Sequence, residues 1–230
     1  MDDTDWLEVT VKRKWIEAVG IAGFELVAAG GGPLPAFDAG SYVDVLTPEG
    51  HLRPYSLCNA PTERHRYVIA VLREPSGRGG SIALHASARQ GDRLKIKSPR
   101  NEFGLHPGTV YTILLGGGVG VAPLLSMADA LWRIGAGFEM HYSARNANRA
   151  AFVQTLRERP YAARVKCHWS EELGRIDFGR TLRQVPRLSH LYVCGPAAFI
   201  DSAVAAATTA GWPVERIHLE SFEPTPNSAI

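Results

Sequence analysis

Apolar and polar positions follow two different rhythms along the chain. From Trp6 to about Gly104 the apolar residues come in short runs separated by turn residues. Leu7 to Ile16 alternates imperfectly, Phe24 to Val27 follows a glycine, and Ser41 to Leu46 stops at Thr47-Pro48-Glu49-Gly50. Tyr67 to Leu72 and Arg93 to Lys97 are further short strands, and Ser81 to Ala88 is the one helical interruption. Many short strands at this spacing predict an antiparallel barrel or sandwich.

After Gly108 strands alternate with helices. Strands are expected at Tyr111 to Leu115, Phe138 to Tyr142, Arg164 to Trp169, His190 to Cys194 and Arg216 to Ser221. Helices are expected at Pro123 to Ile134, Ala150 to Arg159, briefly near Phe178, and at Pro196 to Ala210. This alternation predicts a doubly wound parallel sheet that takes its ligand at the carboxyl ends of the strands. Pro99, Gly104, Pro107 and Gly108 mark the boundary between the halves, near Asn101 to Thr109. The divisions expected are 1–104, 109–223 and a linker-like tail, 224–230.

The most informative stretch is Ile113 to Pro123, in which an apolar strand breaks into Gly116, Gly117, Gly118, Val119 and Gly120 and resumes with helical spacing. A strand, a glycine turn and a helix start let backbone N–H groups approach a pyrophosphate, favoured by the positive end of the helix. Pro123 suits a first helical turn. The same residues also suit a plain glycine turn in an α/β protein, and Pro123 stands where the usual dinucleotide fingerprint continues towards a third glycine.

Composition narrows the field. A hydrophobic content of 45% over 230 residues supplies a packed core without staples. The net charge of +2 gives no field that would draw the chain to nucleic acid or a membrane. No apolar run reaches the length of a membrane span, and the acidic start Met1 to Asp5 is unlike a signal peptide, so a cytoplasmic protein is expected. Cys58, Cys167 and Cys194 are too far apart for a metal-ligand pattern or a disulfide framework. The eight histidines are scattered and read as surface or satisfied core residues, so no metal site is expected.

Two features of the first half suit a phosphate. Arg53-Pro54-Tyr55-Ser56-Leu57 sits between expected strands, and Gly77-Arg78-Gly79-Gly80-Ser81 opens the helix. Backbone N–H groups of Gly79, Gly80 and Ser81 and an N-cap hydroxyl could meet a phosphate monoester, with Arg53, Arg73 or Arg78 supplying charge. An ordinary solvated turn with an N-cap fits the same residues.

Taken in order, Arg53-x-Tyr55-Ser56-Leu57, Gly77 to Ser81, Gly116 to Pro123, Tyr192-Val193-Cys194-Gly195-Pro196 and Glu220-Ser221-Phe222 resemble the ferredoxin–NAD(P) reductase-like flavoproteins. The resemblance spans Trp6 to Phe222 and is strongest to the FMN-containing oxygenase reductases, the phthalate dioxygenase and vanillate demethylase reductase group. It implies an antiparallel Greek-key β-barrel that binds FMN, followed by the nicotinamide-binding α/β domain. It also implies that Arg53 pairs with the FMN phosphate, that Tyr55 packs on the flavin and that Ser56 hydrogen-bonds near N5. Ala70 and Val71 would contribute backbone contacts to the ring. Cys194 would lie beside the nicotinamide, with Gly195 and Pro196 keeping the backbone close. Phe222 would shield the flavin face, and Glu220 would tune the charge near the transfer site. Without the surrounding pattern, Cys194 reads first as a buried thiol, and Glu220 and Phe222 as a strand end packed on the core.

The second strand of the α/β half ends in His141-Tyr142-Ser143-Ala144-Arg145-Asn146, with no acid for a ribose 2′-hydroxyl. Ser143 and Arg145 could therefore hold the 2′-phosphate of NADPH, whereas the resemblance implies NADH. The group also implies a [2Fe–2S] centre with four cysteines, C-x4-C-x2-C plus one more, which these residues lack. That centre is expected on a ferredoxin domain outside these residues or on a separate ferredoxin, feeding a terminal oxygenase. A free-standing flavin or ferric reductase, and a flavin-holding subunit that does not oxidise NADH, are the alternatives.

Overall fold

The computed structural model describes residues 5–183, 185–186 and 188–222, so the expected tail, 224–230, lies outside the described residues. Six strands form the first sheet: β1 (Trp6–Ala18), β2 (Ile21–Ala28), β3 (Tyr42–Leu46), β4 (Leu52–Ser56), β5 (Tyr67–Leu72) and β6 (Arg93–Lys97). All pairings are antiparallel, in the order β4-β3-β6-β1-β2-β5, and a bridge between Leu57 and Ile69 closes the ring. This is the expected antiparallel barrel, with the non-consecutive neighbours of a Greek key. Alternation decides which side chains fill it: in β6, Leu94 and Ile96 are buried between exposed Arg93 and Lys95.

One segment departs from the expected pattern. Arg53 to Ser56 does not link strands but forms most of β4, pairing with β3 from Leu52 opposite Leu46 to Ser56 opposite Tyr42. Pro54 is compatible with this because β4 pairs along its length only with β3, which leaves its other side free of a ladder that would need the missing N–H.

The second sheet is parallel throughout. Its strands are β7 (Tyr111–Gly117), β8 (Gly137–Ala144), β9 (Val165–Trp169), β10 (His190–Cys194) and β11 (Ile217–Glu220), in the order β11-β10-β7-β8-β9. The order reverses between β7 and β10, which makes the crevice beyond their carboxyl ends the topological switch point. Helix α2 (Val121–Arg133) covers one face, and α5 (Phe178–Arg183) and α6 (Ala197–Thr209) cover the other. Successive residues of β7 serve opposite faces: Leu114 packs with the α2 core, and Ile113 and Leu115 pack with α5 and α6.

The helix expected over Ala150 to Arg159 is reduced to α3 (Val153–Glu158), because Phe152 takes a left-handed backbone with φ 61°. Short helices α1 (Gly80–Ser87) and α4 (Ser170–Leu173) complete the set. The two halves share a core, in which Ala18, Ile21, Cys58 and Val68 of the barrel pack with Val121, Met127, Phe138 and Tyr142. The connecting segment is held by Tyr192, whose hydroxyl accepts the His106 N–H at 2.7 Å and donates to Gly104 O at 3.3 Å. Among the described residues no helix is long and apolar enough to cross a membrane.

Candidate active site

Three candidate side chains from distant parts of the chain converge on one oxygen. Cys194, the last residue of β10, stands in register between Gly116 of β7 and Glu220, the last residue of β11. Its thiol donates to Glu220 Oε2 at 3.7 Å. From the barrel, the buried Ser56 at the end of β4 donates its hydroxyl to the same Oε2 at 3.5 Å. The Ser56 contact is long for an O–H···O hydrogen bond, whereas 3.7 Å is ordinary for a thiol donor.

Burial sets the protonation of this trio. It pushes the Glu220 carboxyl up to about 7, against the opposing pull of the Cys194 and Ser56 hydrogen bonds. Burial also pushes the Cys194 thiol well above its ordinary value, and the neighbouring Glu220 charge adds to the effect. Cys194 is therefore a neutral thiol, and Glu220 is a carboxyl that can hold or release a proton near neutrality. Tyr55, one residue before Ser56, is raised to about 12 by burial and stays a neutral phenol.

The glycine turn lies directly beside this trio. After Gly116 and Gly117 close β7, Gly118, Val119 and Gly120 form a single 3-10 turn that leads into α2, with Pro123 in its first turn. A Cβ on Gly120 would lie 2.3 Å from Cys194 O and 2.7 Å from Gly195 N, so only glycine permits this approach of the turn to the end of β10. The start of α2 has no acidic residue and no side-chain cap, although the Val121 N–H is taken by the carbonyls of Gly118 and Val119; the positive end of the helix therefore meets no carboxylate of its own. Gly195 follows Cys194, and Pro196 is the extended N-cap of α6.

Sequence reasoning missed Phe199, whose ring covers Gly117 so closely that a Cβ there would lie 2.9 Å from it. Only its helical position was visible, and that says nothing about which turn it covers.

The other predicted residues fall into two outlying groups. Arg53 lies across the start of α1: its side chain packs on Gly80, and its guanidinium donates to Arg78 O at 3.0 Å and Leu52 O at 2.7 Å. His51, unforeseen from the sequence, packs on Gly79 in the same corner. Ser81 is not the N-cap; Gly79 is, in a left-handed conformation, and the Ser81 hydroxyl accepts the Glu74 N–H at 3.1 Å. A guanidinium beside a helix start without acidic residues is a donor set that suits a phosphate monoester.

Ala70 and Val71 are buried in the barrel wall; Val71 O is 2.8 Å from His85 Nε2. Phe222 follows β11 and is 44% exposed.

The second group is at the end of β8. Ser143 Oγ is buried without a hydrogen-bond partner, an orphan that a bound hydroxyl or phosphate would satisfy, and Arg145 is exposed two residues on. An acid does approach the end of β8 from another element: Glu171, in α4, donates its N–H to Arg145 O at 2.9 Å, and its carboxylate accepts Asn146 Nδ2–H at 2.6 Å. It follows β9, so the sequence of β8 carried no signal of it.

A barrel and a parallel sheet that meet with Ser56 against Cys194 and Glu220, above a glycine turn at the switch point, define a ferredoxin reductase-like oxidoreductase. No family model matches the chain. It is 43% identical over 221 residues to the vanillate O-demethylase oxidoreductase of Pseudomonas putida, covering 96% of this chain and 70% of that protein. It is 37% identical to the phthalate dioxygenase reductase of Burkholderia cepacia, covering 97% and 70% respectively. A solved phthalate dioxygenase reductase, described as a modular structure for electron transfer from pyridine nucleotides to [2Fe–2S], superposes with a TM-score of 0.90 over 97% of this chain and 70% of that one. The chain belongs to the oxygenase-reductase family of flavoproteins and is an NAD(P)H-dependent flavoprotein oxidoreductase.

Proposed function

We propose that the chain takes reducing equivalents from NADH onto FMN and passes single electrons to a [2Fe–2S] centre, on a ferredoxin domain or a separate ferredoxin, that serves an aromatic-ring oxygenase or demethylase. The flavin, when bound, is the group that accepts two electrons together and returns them one at a time. The observation that supports this reading is the meeting of Ser56 with Cys194 and Glu220, since it brings a polar barrel residue against the carboxyl ends of two neighbouring sheet strands.

In this reading the barrel residues bind and orient. Arg53 and the N–H groups of Gly79, Gly80 and Ser81 hold a terminal phosphate, which favours FMN, and Tyr55 packs on the flavin. Ala70 and Val71 form the wall behind it. Ser56 offers a neutral hydroxyl at the reacting edge, able to donate or accept. On the sheet side Gly117, Gly118, Val119, Gly120 and Pro123 receive the pyrophosphate, and Ser143 and Arg145 receive the adenosine ribose. Cys194, Gly195 and Pro196 line the nicotinamide position. Glu220 holds or releases a proton close to Ser56 Oγ, and Phe222 excludes water from the flavin face.

Purified protein is expected to be yellow and to release FMN on heating, as identified by chromatography. Anaerobic mixing should bleach it faster with NADH than with NADPH. Release of FAD would overturn the cofactor assignment, and no bleaching with either nucleotide would overturn the enzymatic reading. Iron–sulfur-dependent reduction of a terminal acceptor, compared with direct reduction of ferric or flavin acceptors, tests the proposed partner.

A further inference from the structure

Glu17, near the end of β1, touches both halves of the molecule. Its Oε1 accepts the backbone N–H of Phe152 at 2.7 Å, and its Oε2 accepts the indole Nε1–H of Trp15 at 2.6 Å. Two residues on, the Val19 N–H donates to Asn148 O at 2.9 Å. The tip of the β1–β2 hairpin is thus fastened to the segment between β8 and α3.

Both ends of this fastening are constrained. On the barrel side, the Trp15 indole lies across Gly23, where a Cβ would stand 2.2 Å from the ring, and the Arg13 guanidinium lies over the Trp15 ring, 4.9 Å from its centre. On the sheet side, Phe152 has a φ of 61°, a conformation that a non-glycine residue keeps only when its surroundings hold it there. Its side chain is buried in the cluster that Ala18 and Ile21 share with Ala150 and Ala151. The held segment runs back from Phe152 to Arg145 and Ser143, at the carboxyl end of β8.

We infer that Glu17 is a positioning residue, which sets the nucleotide-side segment after β8 against the flavin-side barrel through its two carboxylate oxygens. The inference rests on the flavin–nicotinamide reading above. The glycine turn and Cys194 do not touch Glu17, so nucleotide affinity should largely survive its loss. What should suffer is the relative placement of two bound rings, to which transfer rates are steeply sensitive.

The test is anaerobic rapid mixing of the flavin-loaded protein with a range of NADH concentrations. Glu17→Ala should lower the limiting rate of flavin bleaching by about ten- to a hundred-fold. The long-wavelength absorbance of the stacked nucleotide–flavin pair should fall, with flavin content unchanged and little change in half-saturation. Glu17→Gln keeps one acceptor for the Phe152 N–H but turns an amide towards Trp15, so its rate should be intermediate. Trp15→Phe removes the second hydrogen bond, together with part of the indole that packs on Gly23 and Arg13, and should also slow the limiting rate.

A limiting rate within two-fold of the parent in Glu17→Ala would overturn the inference. If Glu17→Ala fails to retain flavin, unchanged limiting rates in both Glu17→Gln and Trp15→Phe would overturn it instead. Failure of the parent protein itself to bleach is a different result, since it removes the flavin–nicotinamide reading on which the inference depends.

Discussion

Ser56 Oγ and Glu220 Oε2 lie 3.5 Å apart although 164 positions separate them in the chain. One closes a barrel strand and the other closes the last strand of the parallel sheet. Their meeting joins the polar groups of the two halves, because the Cys194 thiol reaches the same carboxylate oxygen.

Glu220 should make the stability of the flavin-free protein fall as pH rises. Its carboxyl titrates near 7 in the fold and near 4.5 when unfolded, so the folded state retains a proton that the unfolded state has lost between those values. Its stabilising contribution is complete below about pH 4.5 and is lost as pH climbs through 7, with a slope of at most about 1.4 kcal/mol per pH unit. Denaturant titrations of the parent and Glu220→Gln across this window check the sign. Parallel curves for the two proteins would show that Glu220 is not the titrating group.

Cys194→Ala should leave flavin binding intact, because the thiol belongs to the sheet half, while slowing flavin reduction by NADH about ten-fold or more. Loss of a small buried group at a strand end should lower stability by only about 1 kcal/mol. Transient absorbance at saturating NADH reads the rate. A rate equal to the parent's would reduce Cys194 to a packing residue.

Arg53→Ala should reduce flavin occupancy far more than it reduces fold stability. Its guanidinium caps two exposed carbonyls, of Leu52 and Arg78, contacts that water can replace. A bound phosphate monoester would lose its charge partner. The flavin-to-protein absorbance ratio and the thermal midpoint of the apoprotein, measured together, separate the two effects. Equal flavin content in the variant would rule out the phosphate role.

Gly120→Ala should abolish nucleotide-dependent reduction, since the added methyl would sit 2.3 Å from Cys194 O and one of the two backbones must move. Gly30→Ala is the control, because a Cβ there meets nothing within 4 Å. Titration with NADH, followed by the flavin absorbance, should find the control unaltered. Parental behaviour in Gly120→Ala would mean that the turn and the end of β10 are not locked together.

The rhythm of apolar residues determined the class of each half. Period-two alternation over short runs can be satisfied only by strands with one covered face, as in β6. Apolar strands spaced by helices require a parallel sheet covered on both sides, as in β7 and β10. The glycine turn was legible for the same reason, since four glycines in five positions serve only a backbone that must bend or be approached. Strand β4 was harder to read because its Pro54 imitates a turn, and α3 because nothing local announces the left-handed Phe152. The histidines looked scattered, yet the fold pairs His141 Nδ1 with His168 Nε2 at 3.0 Å and His190 Nδ1 with His218 Nε2 at 2.9 Å across neighbouring strands. Register between strands decided those pairs, as it decided that Cys194 faces Glu220. Tertiary structure alone placed Ser56 beside them, brought Glu171 to the end of β8 and tied Glu17 to Phe152. Local sequence carries propensity and periodicity, whereas contacts between distant segments depend on how whole elements pack.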